Sequence, residues 1–224
     1  MLMIAKYIDH TILKPTTTLE EVNKVCEEAI RHQFASVCIP PYFVANAAAI
    51  MQGASSSVCT VIGFPFGYSN YNAKAIEARK AVKDGASELD MVMNIAAFRD
   101  KNYQFLKQEI QKVIEVISEK KLLLKVIIES GILSDEEIIF CCKFYKDFDV
   151  QFLKTSTGYA EKGASIEAVA LMKQHLPSYM QIKASGGIKT LAFAQALLNA
   201  GATRLGCSAS VAIINSQETS SGGY

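Results

Sequence analysis

Short apolar runs of strand length recur along the chain, and between them lie longer stretches whose apolar residues return every three or four positions. The strand-like runs cover 7–13, 35–39, 59–64, 88–93, 122–128, 151–155, 180–185 and 203–207. The helix-like stretches cover 19–32, 41–51, 72–84, 103–120, 135–146, 165–175, 190–199 and a last one from 209. Ser134 before Asp135-Glu136-Glu137 reads as an N-cap with an acidic first turn, and Gly85 and Gly201 read as helix stops. Strands that are apolar throughout are buried on both faces, as in parallel α/β sheets. The pattern therefore predicts βα units in series, either a closed TIM (β/α)8 barrel or a doubly wound open sheet. Polar residues decide between the two. They close nearly every run: Asp9 and Thr11, Cys38, Gly63, Asp90 and Asn94, Lys125 and Glu129, Lys154 and Thr155, Lys183 and Ser185, Gly206 and Ser208. An open sheet gathers such residues at one switch point, whereas a barrel presents them at the C-terminal end of many strands. The expectation is a single-domain barrel over 1–214, followed by a Ser/Gly/Thr-rich flexible tail over 215–224.

Composition narrows the function classes. With 224 residues, half of them hydrophobic, the chain can bury its own core. Lys+Arg 23 against Asp+Glu 22 leaves a net charge of +1, with no basic run for nucleic acid or an anionic membrane. The six cysteines show no zinc-type spacing with the three histidines and read as reduced, buried thiols. No apolar run approaches the about 18 residues of a membrane span, and the N-terminus reaches Lys6 and Asp9 too early for a signal peptide. A cytoplasmic protein is expected.

Two lysines stand out, because an ammonium inside an apolar strand is costly unless something uses it. Lys154 ends the sixth run and Lys183 lies in the seventh. Strands about 4.8 Å apart bring two inward-pointing lysines within electrostatic reach, an arrangement that makes one of them an amine nucleophile toward carbonyl groups. Alternatively, Lys154 is a packed stem neutralised by Asp90 or Glu129, and Lys183 binds phosphate. Lys125 is a third cationic candidate. Asp90 faces the lysines as a proton-transfer group, a counter-ion, or both. Gly186-Gly187 and Gly206-Cys207-Ser208 each open a helix after a strand, where backbone N–H groups receive phosphate in barrels. No P-loop or dinucleotide fingerprint is present, so the phosphate belongs to a substrate and no cofactor is expected. Cys38 reads first as a small core residue.

Taken in order, these motifs closely resemble the deoxyribose-phosphate aldolase family of class I, Schiff-base aldolases. The resemblance rests on Ile8-Asp9-His10-Thr11, Val37-Cys38-Ile39, Val61-Ile62-Gly63-Phe64-Pro65, Glu88-Leu89-Asp90-Met91-Val92, Leu124-Lys125-Val126-Ile127-Ile128-Glu129, Phe152-Leu153-Lys154-Thr155-Ser156-Thr157-Gly158, Ile182-Lys183-Ala184-Ser185-Gly186-Gly187 and Arg204-Leu205-Gly206. It implies reversible cleavage of 2-deoxy-D-ribose 5-phosphate to acetaldehyde and D-glyceraldehyde 3-phosphate, in deoxynucleoside breakdown. Lys154 is then the Schiff-base nucleophile, Lys183 the cation that tunes it, and Asp90 a proton-transfer partner acting with water. Asp9, Thr11, Cys38, Lys125 and Thr155 are expected around the sugar, and Gly186, Gly187, Gly206 and Ser208 around the phosphate. No metal is implied, since the iminium itself is the electron sink. The resemblance also implies a homodimer acting on small sugar phosphates and aldehydes. Another phosphorylated sugar, or silent sugar-phosphate binding without turnover, are the competing readings. Three features depart from or extend the family pattern. Ala209 follows Ser208 where many members have a second serine, Tyr159 stands where some carry a lysine, and the chain ends in Tyr224, a candidate proton relay.

Overall fold

The computed structural model describes residues 4–118 and 122–221. Eight parallel strands close into one barrel in chain order: β1 (Ile8–Thr11), β2 (Ser36–Ile39), β3 (Ser57–Ile62), β4 (Glu88–Val92), β5 (Leu123–Ile127), β6 (Phe152–Lys154), β7 (Gln181–Ser185) and β8 (Arg204–Cys207). The open-sheet alternative falls because the first strand pairs with the last, Ile8 opposite Leu205 and Asp9 opposite Gly206. Around the barrel run α1 (Leu19–His32), α2 (Val44–Ile50), α3 (Tyr71–Lys83), α4 (Ile95–Arg99), α5 (Tyr103–Ile117), α6 (Asp135–Tyr145), α7 (Ile166–His175), α8 (Leu191–Asn199) and α9 (Ser210–Ser221).

The helix starts are written locally. Ser134 caps α6 with its hydroxyl accepting from the Glu137 N–H, while the Glu137 carboxylate accepts from the Ser134 N–H; Thr18 and Glu21 do the same for α1. Asn, Ser or Thr caps five further starts at Asn70, Asn94, Asn102, Ser165 and Thr190. Four elements differ from the pattern. The third strand begins at Ser57 and stops at Ile62, because Gly63 turns the backbone into the left-handed region at φ 63°. The stretch 41–51 divides into a tight 3-10 turn at Pro41–Phe43 and α2, and α4 is too short for its period to be read from sequence. The last helix carries on to Ser221, through residues 215–221 of the expected tail. Ile213 and Ile214 are buried at its start, and once nucleated a helix adds a hydrogen bond for each residue it fixes.

The apolar core lies mainly outside the barrel. Side chains alternate along a strand, so Leu89 and Met91, Leu124 and Val126, Leu153, Ile182 and Ala184, and Leu205 join the layer packed against the helices. The opposite alternation sends Asp9, Glu88, Asp90, Lys125, Lys154, Lys183 and Arg204 inward. A small apolar group, Cys38, Cys59 and Val61, forms a separate cluster with Leu13 and Phe64 packed against it. The barrel interior is thus a charged cluster wrapped in hydrocarbon.

Candidate active site

Adjacent strands carry the cluster. Parallel pairing sets Lys154 of β6 opposite Lys183 of β7, and Asp90 of β4 opposite Lys125 of β5. Asp90 is the hub. Its Oδ2 accepts from Lys154 Nζ at 2.8 Å and from Lys183 Nζ at 2.7 Å, and its Oδ1 accepts from Lys125 Nζ at 2.9 Å. Two contacts of that length to one oxygen hold the lysine amines within about 5.5 Å of each other, well inside the range of direct charge coupling. Lys183 also pairs with Asp9, and Lys125 donates to Glu88 at 2.6 Å. Arg204 closes the base of the cluster, donating to Asp9 Oδ1 at 2.7 Å and to both Glu88 oxygens.

Among the described residues, Lys125, Lys154, Lys183 and Arg204 pair with the carboxylates of Asp9, Glu88 and Asp90, and Lys125 also donates to Cys59 Sγ at 3.4 Å, so in their charged forms the surplus is one positive charge. It falls at the top. Lys154 contacts a single carboxylate oxygen, whereas Lys183 is shared by two carboxylates. Burial alone would push the Lys183 ammonium down, but Asp9 and Asp90 outweigh it and hold its pKa well above the usual lysine value. Lys125 is raised by the same balance, led among the attractive partners by Asp90. Desolvation by itself would have lowered both, so the carboxylates reverse the expectation for a buried lysine. Asp90 is also governed by burial opposed by charge: Lys125, Lys154 and Lys183 prevail and keep it well below the ordinary aspartate value. A carboxylate held so low is a fixed hydrogen-bond acceptor and a weak base while all three ammonium groups surround it.

Above the cluster opens a polar cavity of about 170 Å³. Lys154 is the member of the charged cluster that lines it. Thr11, Leu13, Gly186, Gly187, Lys189, Gly206 and Ser208 line it as well. Gly186 and Gly187 have φ of 89° and 78°, a backbone that glycine adopts without strain. Gly206 is required for space, because a Cβ there would lie 2.8 Å from Ser185 Cβ and 3.2 Å from Lys183 Cε. The turn before α8 and the turn before α9 thus face the cavity with exposed backbone and a cation, the chemistry that receives a phosphate. Larger cavities, of about 690 and 530 Å³, lie outside the charged cluster and contain none of its lysines.

Lys154, Thr11, Gly186, Gly187, Gly206 and Ser208 line the cavity, and Lys183 and Asp90 are fully buried, joined to Lys154 through Asp90 Oδ2. Asp9, Cys38 and Lys125, expected around the sugar, are fully buried and do not line this cavity. Thr155 is also enclosed; its hydroxyl donates to the Ser185 carbonyl and accepts from the Ser185 N–H, tying β6 to β7. Tyr224 lies outside the described residues. Sequence reading missed Glu88 and Arg204, although each lies two positions before a chosen residue and period two would have found them. It also missed Lys189, and the role of Glu129, which accepts from the N–H and hydroxyl of Thr157 and fixes the loop after β6. Burial pushes the Glu129 carboxyl up, against the Thr157 hydrogen bonds.

Among the described residues, Cys38, Cys59 and Asp90 bring potential ligand atoms within 4.8 Å of one another. Their surroundings do not suit a cation. Lys125, Lys154 and Lys183 already occupy Asp90, and burial drives the Cys59 thiol well above its usual pKa.

The model of the DeoC/LacD family aldolases matches residues 3–214. A deoxyribose-phosphate aldolase of Streptococcus gordonii is 48% identical over 219 residues, 98% of this chain and 98% of that one. Another, from Halalkalibacterium halodurans, is 46% identical over 222 residues, 99% of this chain and 98% of that one. Among solved structures, the aldolase QR15 superposes with a TM-score of 0.93 at 35% identity, covering 98% of this chain and 97% of its own. A tetrameric deoxyribose phosphate aldolase from Aeropyrum pernix superposes with a TM-score of 0.90 at 27% identity, covering 96% and 91%.

Proposed function

Because the chain belongs to the DeoC/LacD family of aldolases, we propose that its charged barrel cleaves 2-deoxy-D-ribose 5-phosphate reversibly to acetaldehyde and D-glyceraldehyde 3-phosphate through a Schiff base on Lys154. The observation that carries this reading is that Lys154 lines the polar cavity while Lys125 and Lys183 are fully buried and do not line it.

In the cleavage direction the neutral Lys154 amine adds to the C1 aldehyde of the open-chain sugar, and loss of water leaves a protonated imine. The C3 hydroxyl gives up its proton, the C2–C3 bond breaks, and its electron pair enters the iminium. Glyceraldehyde 3-phosphate departs, leaving an enamine. Protonation of the enamine carbon and hydrolysis by water release acetaldehyde and restore Lys154. Lys183 stays charged throughout, since two carboxylates hold its proton, and it opposes a second ammonium beside it. Asp90 keeps both amines aligned. It becomes a competent proton partner, through water, only in those steps where Lys154 has lost its own charge and one of the three stabilising cations is gone. The turns at Gly186-Gly187 and Gly206-Cys207-Ser208, with Lys189 beside them, hold the phosphate and fix C1 over Lys154.

Acetaldehyde plus borohydride should leave a reduced two-carbon adduct on Lys154, read by intact mass and peptide mapping. Absence of the adduct in folded wild-type protein rules the mechanism out. Lys154→Ala and Lys183→Leu variants should both lose release of glyceraldehyde 3-phosphate, only the first through loss of the attachment site. No helix among the described residues is long and apolar enough to cross a membrane. We place the enzyme in the cytoplasm, in keeping with the buried unpaired thiols of Cys26, Cys38, Cys59, Cys141, Cys142 and Cys207. A homodimer follows from the family resemblance, with light scattering as its check.

A further inference from the structure

Tyr159 stands at a boundary. On one side is the polar cavity of about 170 Å³ that contains Lys154; on the other is an apolar cleft of about 690 Å³ lined by Leu13, Pro40, Phe43, Val61, Phe64 and Phe66. Leu13 lines both, and Gly158 of the polar cavity is followed directly by Tyr159 of the cleft. The Tyr159 hydroxyl donates to the Leu13 carbonyl at 2.7 Å, and its ring stands edge-on to Phe64 with centroids 5.5 Å apart. One side chain from the β6–α7 loop thus bridges the β1–α1 and β3–α3 loops.

The backbone under this bridge is held independently of the ring. Tyr159 N–H donates to Thr157 Oγ1 at 3.0 Å, and Thr157 is anchored by the buried Glu129 carboxylate. Truncating Tyr159 therefore leaves the loop anchored. The ring is also 47% exposed, so its loss opens a breach toward solvent and the cleft, with no sealed void in the core.

We propose that Tyr159 is a specificity-determining residue: it walls the Lys154 cavity off from the apolar cleft and so restricts the acceptor aldehydes to short or phosphate-bearing ones. This rests on the aldolase reading above. In the synthetic direction the acetaldehyde enamine on Lys154 attacks the acceptor carbonyl, a C–C bond forms, the carbonyl oxygen takes a proton, and water hydrolyses the iminium. With the wall in place an unbranched alkyl chain on the acceptor has only the small polar cavity to enter. Without it, the chain can lie along Val61, Phe64 and Phe66.

The test compares wild type, Tyr159→Ala, Tyr159→Val and Tyr159→Phe in the condensation of acetaldehyde with propanal, butanal and hexanal. Borohydride trapping of acetaldehyde on Lys154 is measured in parallel. In the Ala and Val variants the ratio of kcat/KM for hexanal to that for propanal should rise at least tenfold, below the roughly sixtyfold that three further buried methylenes, at about fourfold each, can contribute. The Phe variant keeps the ring and should stay within about threefold of the wild-type ratio, since one solvent-facing hydrogen bond contributes little. An unchanged ratio in both truncated variants, with acetaldehyde still trapped on Lys154, overturns the proposal. Failure of trapping in the wild type overturns the aldolase reading beneath it.

Discussion

Lys183 has no solvent exposure and shares Asp9 with Arg204 and Asp90 with two other lysines. Its replacement by methionine removes one cation and leaves the carboxylate oxygens it served buried with less compensation, which costs about 3–5 kcal/mol. Lys183→Met should therefore lose stability by that order in urea denaturation, as well as turnover. The double variant Asp9→Asn/Lys183→Met removes one charge of each sign and should regain most of the stability while turnover stays absent. Recovery of activity along with stability would reduce Lys183 to a structural counter-ion. Lys154 and Lys183 were legible as an anomaly in sequence, a charge at the end of an apolar run. Their spacing did not say which of them is the nucleophile, and the family resemblance named Lys154; how many carboxylates reach each amine was not legible, because Asp9, Glu88 and Arg204 arrive from strands far apart in the chain.

At the scale of elements, β7 and β8 with the turns that follow them line the polar cavity at the proposed phosphate site. Gly206 lies opposite Ser185, and Gly206→Ala places a Cβ 2.8 Å from Ser185 Cβ. Overpacking of this kind costs about 1–3 kcal/mol. The variant should also raise KM for deoxyribose 5-phosphate more than it lowers borohydride trapping of acetaldehyde, because the turn shifts while Lys154 keeps its place on β6. Equal losses in both assays would contradict that placement. The start of α6 at Ser134 was readable, since a cap is a contact between residues three apart. The five-residue α4 and the division of 41–51 were not readable. Segments that short contain less than two periods, and packing against the barrel settles them.

Over the whole molecule, the charged interior gives stability a defined pH window. Burial raises the Asp9 carboxyl, but Lys183, Lys125 and Arg204 outweigh it and hold its folded value below 3.8. Its contribution is complete above about that pH and is lost as pH falls toward the folded value. Lys183 is raised above 10.5, so its contribution is complete below that pH and is lost as pH rises through the folded value. The unfolding free energy of wild type relative to Asp9→Asn/Lys183→Met should stay level between these limits and decline on both sides. A steady slope across neutral pH would refute the pairing. The linear pattern of apolar and polar positions was enough to determine seven or eight βα repeats, their order, and the inward parity of Asp90, Lys154 and Lys183, because strand period and helix caps are local properties of the chain. Tertiary structure alone decided depth and neighbours. It buried Asp9, Cys38 and Lys125 outside the cavity lining, placed Lys154 in that lining, and set Tyr159 against Leu13 and Phe64. Closing the barrel fixes how far along its axis each strand places its residues, and no single segment of sequence contains that stagger.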